Sequence, residues 1–124
     1  MVAERGDVYA IELALDRSGN SLVGAFLNKL AGGKGADRDR LADILVRLEK
    51  FAQKGILIVP RELNQLTDEL WEIKAGTVRL PFYYRPGQPC GQVRLTHGFV
   101  KRSEKTPRRE IDLGMAIMRE DLKR

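Results

Sequence analysis

The sequence predicts one α+β domain in which helices pack on one face of a small, mostly antiparallel sheet. Three observations lead to this fold class: an alternating apolar segment near the start, two adjacent helical patterns, and a run of strands that precedes a last helix. The predicted order is therefore strand, two helices, three strands and helix. A length of 124 residues is close to the commonest domain size, so a single domain is expected over residues 1–124.

The first three elements follow from the spacing of apolar residues. Residues 8–15 alternate in polarity and are predicted to form a strand. A helix should follow, with Asn20 or Ser21 as its N-terminal cap. A second helix is predicted over residues 37–54, where Gly55 provides the stop. Its apolar residues recur at helical spacing: Leu41, Ile44, Leu45, Leu48, Phe51 and Ala52.

A strand meander is predicted next. Residues 70–74 and 77–84 flank a two-residue turn at residues 75–76, which pairs Glu72 with Arg79. In this register one face of the two strands meets the core and the other face stays open. The open face is predicted to carry Glu72, Lys74, Arg79, Pro81 and Tyr83.

The C-terminal part of the chain holds one more strand and one more helix. Residues 92–101 are predicted to form a strand with a bulge or bend at Gly98. Thr106 followed by Pro107 is typical of a helix cap and the first helical position, so the last helix is expected to begin there. Its apolar stripe is Ile111, Met115, Met118 and Leu122.

The connecting segments are less regular. Residues 56–59 fit either a brief strand or an extended connector, which Pro60 closes. Residues 61–69 are polar, and their pattern favours no element. Residues 86–89 are predicted to form a turn because proline and glycine are frequent there.

The positive charge of the chain is concentrated in one segment. Residues 94–109 hold six cations and one acid, and this excess accounts for the whole formal net charge of +5. A neutral scaffold with one cationic patch favours a polyanionic partner, and nucleic acid is the first candidate. The six cations are Arg94, Lys101, Arg102, Lys105, Arg108 and Arg109.

Several classes of protein are excluded by what the sequence lacks. No apolar run approaches the roughly 20 residues of a membrane span, and acidic residues near the start argue against a signal peptide. Cys90 is the one cysteine and His97 the one histidine, too few for the usual zinc sites. No nucleotide-binding or nucleophile-elbow motif is present. A cytoplasmic protein is therefore expected, and an enzyme of this sequence should need no metal or cofactor.

Three motifs resemble one known family. They are Leu70-Trp-Glu-Ile-Lys74, then Val78-Arg-Leu80, then Leu95-Thr-His-Gly-Phe-Val-Lys-Arg-Ser-Glu-Lys-Thr-Pro107 followed by Arg109-Glu-Ile111. Together they are similar to the phage-derived, HigB-like branch of the RelE/ParE toxin superfamily, whose pattern runs roughly LWELR, R[VL]xY and LLHGFxKKxxKTPxxEI. The order of predicted elements fits this family over nearly the whole chain.

The resemblance implies a function. Members are toxins of type II toxin–antitoxin systems, and the HigB- and RelE-like ones cut mRNA, typically at the ribosomal A site, without a metal ion. Their partners are the ribosome, mRNA and an antitoxin that is commonly a helix-turn-helix protein. The resemblance would make Arg79 a phosphate-binding residue and would place Lys101 and Arg102 on the KK pair. Two departures, Lys74 for the usual arginine and Pro81 within the R[VL]xY strand, leave the direction of Arg79 open.

The chemistry expected of these residues is attack of the RNA 2′-hydroxyl on the adjacent phosphate. Without a metal ion, cations must stabilise the charge that develops there. His97 is the formal acid/base candidate because only its ordinary pKa lies near neutrality. The catalytic residues would then be Arg79, Lys101 and His97. The residues that bind RNA or phosphate would be Lys74, Tyr83, Arg102, Lys105, Arg108 and Arg109.

Other interpretations of the same residues stay open. Arg79 could form a cross-strand ion pair with Glu72, His97 could be a buried histidine bonded to a backbone carbonyl, and Tyr83 could pack on the surface instead of stacking on a base. At the level of function, a ParE-like gyrase poison shares the scaffold and needs no nuclease residues. A non-catalytic phage protein that binds nucleic acid or an antitoxin is the third alternative.

Overall fold

The computed structural model of the protein describes residues 2–88 and 90–124. In these residues the chain forms three helices and a seven-stranded sheet. In chain order the elements are β1 (Val2–Arg5), β2 (Tyr9–Leu13), α1 (Leu22–Ala31), α2 (Ala36–Lys54), β3 (Leu63–Gln65), β4 (Trp71–Ala75), β5 (Val78–Arg85), β6 (Gly91–Leu95), β7 (Phe99–Val100) and α3 (Arg108–Leu122).

The sheet is mixed but mostly antiparallel. Its strand order is β1-β2-β6-β5-β4-β3, and β7 pairs with β5. Strands β2 and β6 are parallel, whereas the other pairs of the described strands are antiparallel. The predicted α+β class is therefore confirmed.

The ends of α1 and α2 follow from the residues predicted to set them. The Ser21 hydroxyl accepts a hydrogen bond of 2.9 Å from the backbone N–H of Gly24 and so caps α1. Gly55 ends α2 in the left-handed region at φ 70°, and its N–H donates to the carbonyl of Phe51 at 2.8 Å. The predicted helices are confirmed to within a residue or two.

The helices lie on both faces of the sheet. On one face, α1 and α2 cover the main core, where Phe51 packs against Phe82 of β5. On the other face, Tyr83 of β5 packs with Ile117 and Met118 of α3. The prediction that all helices share one face is wrong for α3. The physical reason is that Pro81 and Tyr83 are buried on the second face of β5, so that face also needs a cover.

The turn between β4 and β5 lies at residues 76–77, one position later than predicted. Gly76 adopts a positive φ of 59°, which glycine allows at little cost. The register therefore pairs Lys74 with Arg79 and Glu72 with Pro81. A shift by two positions preserves the faces of both strands. It replaces the predicted direct pairing of Glu72 with Arg79 by a diagonal relation.

The predicted strand over residues 92–101 is divided into β6 and β7. A Cβ atom on Gly98 would lie 2.4 Å from the Phe26 ring of α1 and 3.0 Å from Leu80. The missing side chain lets α1 approach the chain at Gly98. Because β6 ends at Leu95 and β7 begins at Phe99, the bend predicted at Gly98 is confirmed. After the bend, β7 pairs with the first residues of β5.

The other segments differ in detail from the sequence predictions. β1 was not predicted, and β3 lies within residues 61–69, which had no assignment. Residues 56–59 form the connector and not a strand. Of the turn predicted at residues 86–89, Pro89 lies outside the described residues. The predicted cap of α3 is wrong: the Thr106 hydroxyl donates to the Glu72 carboxylate at 2.8 Å instead of capping the helix.

Candidate nucleic-acid interface

An open cleft of about 680 Å³ lies where α1 ends and where α2 and α3 begin. Strand β7 forms its floor. Phe26 and Phe99 provide apolar surface in the cleft, and Glu110 is its one acidic lining residue among those described. Four cations line it: Lys29, Arg40, Arg102 and Arg109.

The four cations come from separate parts of the chain. Lys29 is in the last turn of α1, where a cation is favoured by the helix dipole. Arg40 is held by an ion pair of 3.0 Å with Asp37 and by a hydrogen bond of 3.4 Å to the Thr77 hydroxyl. Arg102 and Arg109 are exposed. Neither has a carboxylate within 4.0 Å among the described residues, so both are available to an anionic ligand.

A buried histidine, His97, lies beneath this cleft and packs against two of its lining residues, Phe99 and Glu110. The ring of His97 stacks on that of Phe99, with centroids 5.8 Å apart and planes at 22°. Its Nε2 lies 3.2 Å from a carboxylate oxygen of Glu110 but makes no hydrogen bond, and its Nδ1 lies 3.0 Å from the Thr96 hydroxyl. Burial lowers the pKa of His97 by penalising the charged imidazolium, and Glu110 opposes this shift.

His97 therefore does not occupy the position expected of a group that touches substrate. Only 3 % of the residue is exposed. The alternative of a buried histidine fits better, although the bond is to a hydroxyl and not to a backbone carbonyl. The residue that reaches the cleft in its place is Glu110, with 17 % of its side chain exposed.

Arg79 is also buried, so the prediction of an open face is wrong there. It is 8 % exposed, and its Nη1 donates to the carbonyls of Gly76 at 2.8 Å and Val78 at 2.9 Å. Burial lowers the pKa of Arg79, and the nearby Glu72 and Glu104 oppose this shift. The cover comes from the segment before α3, because Thr106 bonds to Glu72 on the same face of the sheet.

Arg79 nevertheless has a structural link to the cleft. It holds the turn at residues 76–77, and Thr77 of that turn binds Arg40 through its hydroxyl. The Thr77 carbonyl also accepts from the backbone N–H of Lys101 at 2.8 Å. Arg79 thus supports two cations without itself facing the solvent.

The prediction that Tyr83 stacks on a base is wrong. Tyr83 is 3 % exposed, and its hydroxyl donates to the Asp121 carboxylate beneath α3. Burial, together with Asp121, raises the pKa of Tyr83 to about 12. A ring enclosed between sheet and helix offers no face to RNA.

The remaining predicted residues are dispersed. Lys74 is half-buried beside Arg79, Lys101 lies 3.9 Å from Glu104, and Lys105 is exposed in the loop before α3. Arg108 is 3.2 Å from Asp112 and lines a separate hollow with Thr67 and Met115.

Arg94 lies outside the interface because it is bonded within the fold. Its guanidinium forms two hydrogen bonds of 2.9 Å to Asp121 and lies 3.5 Å from Glu12. Of the predicted cations, only Arg102 and Arg109 line the cleft. Lys29 and Arg40 were missed, because their positions in α1 and α2 are ordinary for helix surfaces and only the packing brings them together.

Within residues 2–88 and 90–124, no group of three or more histidine, cysteine, aspartate or glutamate side chains is arranged to hold a metal ion. None of the described helices is both long enough and apolar enough to cross a membrane.

The architecture, a small α+β sheet with three packed helices, fits a RelE-like fold. Residues 34–119 match the family described as phage-derived protein Gp49-like (DUF891), which is more than half of the chain. The chain therefore belongs to the Gp49-like family, which is associated with toxin–antitoxin systems. No curated protein matches the chain.

Proposed function

We propose that this protein is the toxin of a toxin–antitoxin pair, and that it cleaves mRNA during translation without a metal ion until an antitoxin neutralises it. One observation carries the proposal: four cations from separate segments meet in one cleft beside two phenylalanines and a carboxylate. A groove that combines positive charge with aromatic surface suits single-stranded nucleic acid. The family's association with toxin–antitoxin systems supports the same function.

The cations suit the charge changes of the reaction. When the 2′-hydroxyl attacks, the phosphate gains negative charge that the protein must stabilise. Arg102 and Arg109 are exposed, and the guanidinium fork matches two phosphate oxygens. Lys29 and Arg40 extend the positive surface to the other side of the cleft, where the neighbouring phosphates of the strand would lie.

The ribosome would fix the orientation of the mRNA, which the cleft alone does not. The cleft is open and few of its side chains are fixed by bonds, so a free RNA would bind in many orientations. A ribosome that presents one codon in a fixed conformation would reduce this loss of entropy, since positioning alone supplies a large part of many rate enhancements. The proposal therefore expects cleavage to depend on ribosomes.

A second candidate is a binding protein without catalysis, and one observation favours it. Arg79 and His97, the residues first expected to act on the phosphate and the proton, are both buried. A protein with this arrangement could still bind RNA or an antitoxin in the cleft. The experiment must therefore separate cleavage from inhibition by binding.

The test is primer extension on a defined mRNA in a cell-free translation reaction. The proteins compared are the wild type and the double variant Arg102→Ala, Arg109→Ala, which removes two exposed cations of the cleft. We expect the wild type to produce new 5′ ends in frame with codons, only when ribosomes are present. The double variant should reduce them by at least about tenfold, because two phosphate contacts are lost.

The control is Arg17→Ala with Arg61→Ala, which removes the same charge from two exposed residues outside the cleft. It should cleave as the wild type does. Translation that stops without new 5′ ends would overturn the nuclease proposal and favour the binding protein. Equal loss of cleavage in both double variants would show that net charge matters and the cleft does not.

A further inference from the structure

The hydrogen bonds around His97 favour a proton on its Nδ1 atom. The Thr96 hydroxyl lies 3.1 Å from the Pro81 carbonyl, to which it donates its only proton. Its oxygen then accepts from Nδ1–H of His97 at 3.0 Å. A neutral imidazole protonated at Nδ1 carries a lone pair on Nε2.

A carboxylate lies beside Nε2. Nε2 is 3.2 Å from Oε1 of Glu110, and among the described residues no hydrogen bond joins the two groups. At this distance the electronegative atoms of an unprotonated pair repel each other. If Glu110 takes up a proton, its carboxylic acid can turn and donate to Nε2, which replaces the repulsion by a hydrogen bond. The pair can thus take up one proton beside the cleft that Arg102 and Arg109 also line.

We infer that Glu110 is the catalytic proton acceptor of the cleavage proposed above, and that His97 is the positioning residue that orients it, held in turn by Thr96. This inference rests on the proposed function. The bond between Nε2 and Glu110 forms only once the proton has arrived, so it stabilises the transition state more than the resting state. An interaction of that kind accelerates a reaction and does not merely strengthen binding.

The reaction balances without a further reagent. Glu110 takes the proton of the 2′-hydroxyl, and the carboxylic acid shares it with Nε2 of His97. The 2′ oxygen forms a bond to phosphorus, and the bond from phosphorus to the 5′ oxygen breaks. The 5′ oxygen takes a proton from water. The products are a 2′,3′-cyclic phosphate and a 5′-hydroxyl, and Glu110 returns its proton to the solvent before the next cycle.

The main test compares Glu110→Gln with the wild type on ribosomes that carry a defined mRNA. Glutamine keeps the shape of the side chain but accepts a proton poorly. We expect the single-turnover cleavage rate to fall about 100-fold to 10,000-fold, the range of general base catalysis. Affinity for an mRNA with a 2′-deoxy nucleotide at the cleavage position, which cannot react, should stay the same or rise because an acid has been removed from a cationic cleft.

The pH dependence tests the positioning role. The other charged groups that line the cleft around Glu110 are Lys29, Arg40, Arg102 and Arg109. The wild-type rate should rise with pH as a larger fraction of the protein holds the His97–Glu110 pair without a shared proton. Thr96→Val removes the acceptor for Nδ1–H and should move the midpoint of this profile to lower pH, with RNA affinity unchanged. A purely structural Thr96 would leave the midpoint in place.

Chemical rescue tests the role of the Glu110 carboxylate by a second route. Glu110→Ala leaves a space at the cleft that a formate ion can enter, so added formate should restore part of the cleavage rate. Glu110→Gln that cleaves at the wild-type rate would overturn the inference and leave the proposed function intact. A wild-type protein that cleaves no mRNA would overturn both.

Discussion

At the scale of single residues, Arg79 lies in a motif that suggests phosphate binding, but the structure uses its side chain within the fold. Its position in the motif suggests phosphate binding, whereas its guanidinium is used within the fold, on the carbonyls of Gly76 and Val78. The alternation of β5 was correctly predicted, and so was the face that Arg79 occupies. What the sequence could not indicate is that the segment before α3 covers this face through Thr106 and Glu72.

Arg79→Ala should therefore destabilise the fold. Two hydrogen bonds from a charged donor are lost, one to the buried carbonyl of Val78 and one to the carbonyl of the exposed Gly76. We expect the free energy of unfolding to fall by about 2 kcal/mol. The turn that holds Arg40 should loosen, so RNA affinity should fall as well. Urea denaturation measures the first effect and RNA titration the second. Arg61→Ala, at an exposed position, should change stability by less than about 0.5 kcal/mol. An Arg79→Ala variant of wild-type stability would contradict this structural role.

Tyr83→Phe tests whether Tyr83 is a buried structural residue and not a residue that stacks on RNA. It removes only the hydroxyl that donates to Asp121. The free energy of unfolding should fall by about 1.5 kcal/mol, since a buried charge-assisted hydrogen bond is lost. Affinity for single-stranded RNA should not change, because the ring lies beneath α3. A clear loss of RNA affinity in a variant of normal stability would restore the stacking hypothesis.

At the scale of elements, one carboxylate attaches α3 to the sheet. Asp121 is fully buried, and it accepts from Arg94 of β6, from Tyr83 of β5 and from the backbone N–H of Leu15 at 3.0 Å. Burial opposes its charge, but the hydrogen bonds from Arg94, Tyr83 and Leu15 more than offset this, so the pKa of Asp121 lies below its ordinary value.

The sign of the pH effect follows from that lowered pKa. The stabilisation from Asp121 is fully present above the ordinary aspartate pKa of about 3.9, and it is lost as the pH falls through the lower value of the folded state. Asp121→Asn should reduce the free energy of unfolding by about 3 kcal/mol at neutral pH, because Arg94 keeps its charge but loses the closer of its two carboxylates. The difference from the wild type should shrink in acid.

Denaturation curves at several pH values measure this effect. Asp112→Asn is the matched control, because Asp112 is exposed in the same helix and pairs with the exposed Arg108. It should cost about 0.5 kcal/mol or less, as exposed ion pairs do. If Asp121→Asn lowers the free energy of unfolding equally at every pH, the loss comes from altered packing and not from the missing carboxylate charge.

The same helix shows where sequence reasoning succeeded and where it failed. The spacing of Ile111, Met115 and Met118 predicted α3 correctly, because helical periodicity is a local property. The face on which α3 packs depends on the second buried face of β5. That face was assigned to solvent because Arg79 of β5 and Lys74 of the neighbouring β4 lie on it. Strands β1 and β3 were missed because each is too short to give a pattern.

At the scale of the whole molecule, the concentration of charge in residues 94–109 was an informative but incomplete guide. Arg94 belongs to the interior, whereas Lys29 and Arg40 join the surface from elements more than fifty residues earlier in the chain. A charge count along the sequence cannot show such additions, since residues of α1, of α2 and of β7 come together in one cleft only when the chain folds. The cleft is thus a property of the fold, although half of its cations come from the segment that the sequence identified.

The salt dependence of RNA binding tests whether the cleft meets phosphate. Each phosphate neutralised on a single strand contributes about 0.7 to the slope of log affinity against log salt concentration. Removing Arg102 and Arg109 together should therefore reduce the slope by about 1.4, measured by fluorescence titration of a labelled single-stranded RNA. The control variant without Arg17 and Arg61 has the same net charge and should keep the wild-type slope. Equal slopes in all three proteins would mean that these cations do not contact phosphate, and the cleft would then have to be assigned to a protein partner. A reduced slope in the cleft variant alone would place the RNA backbone between α1 and α3, next to Glu110.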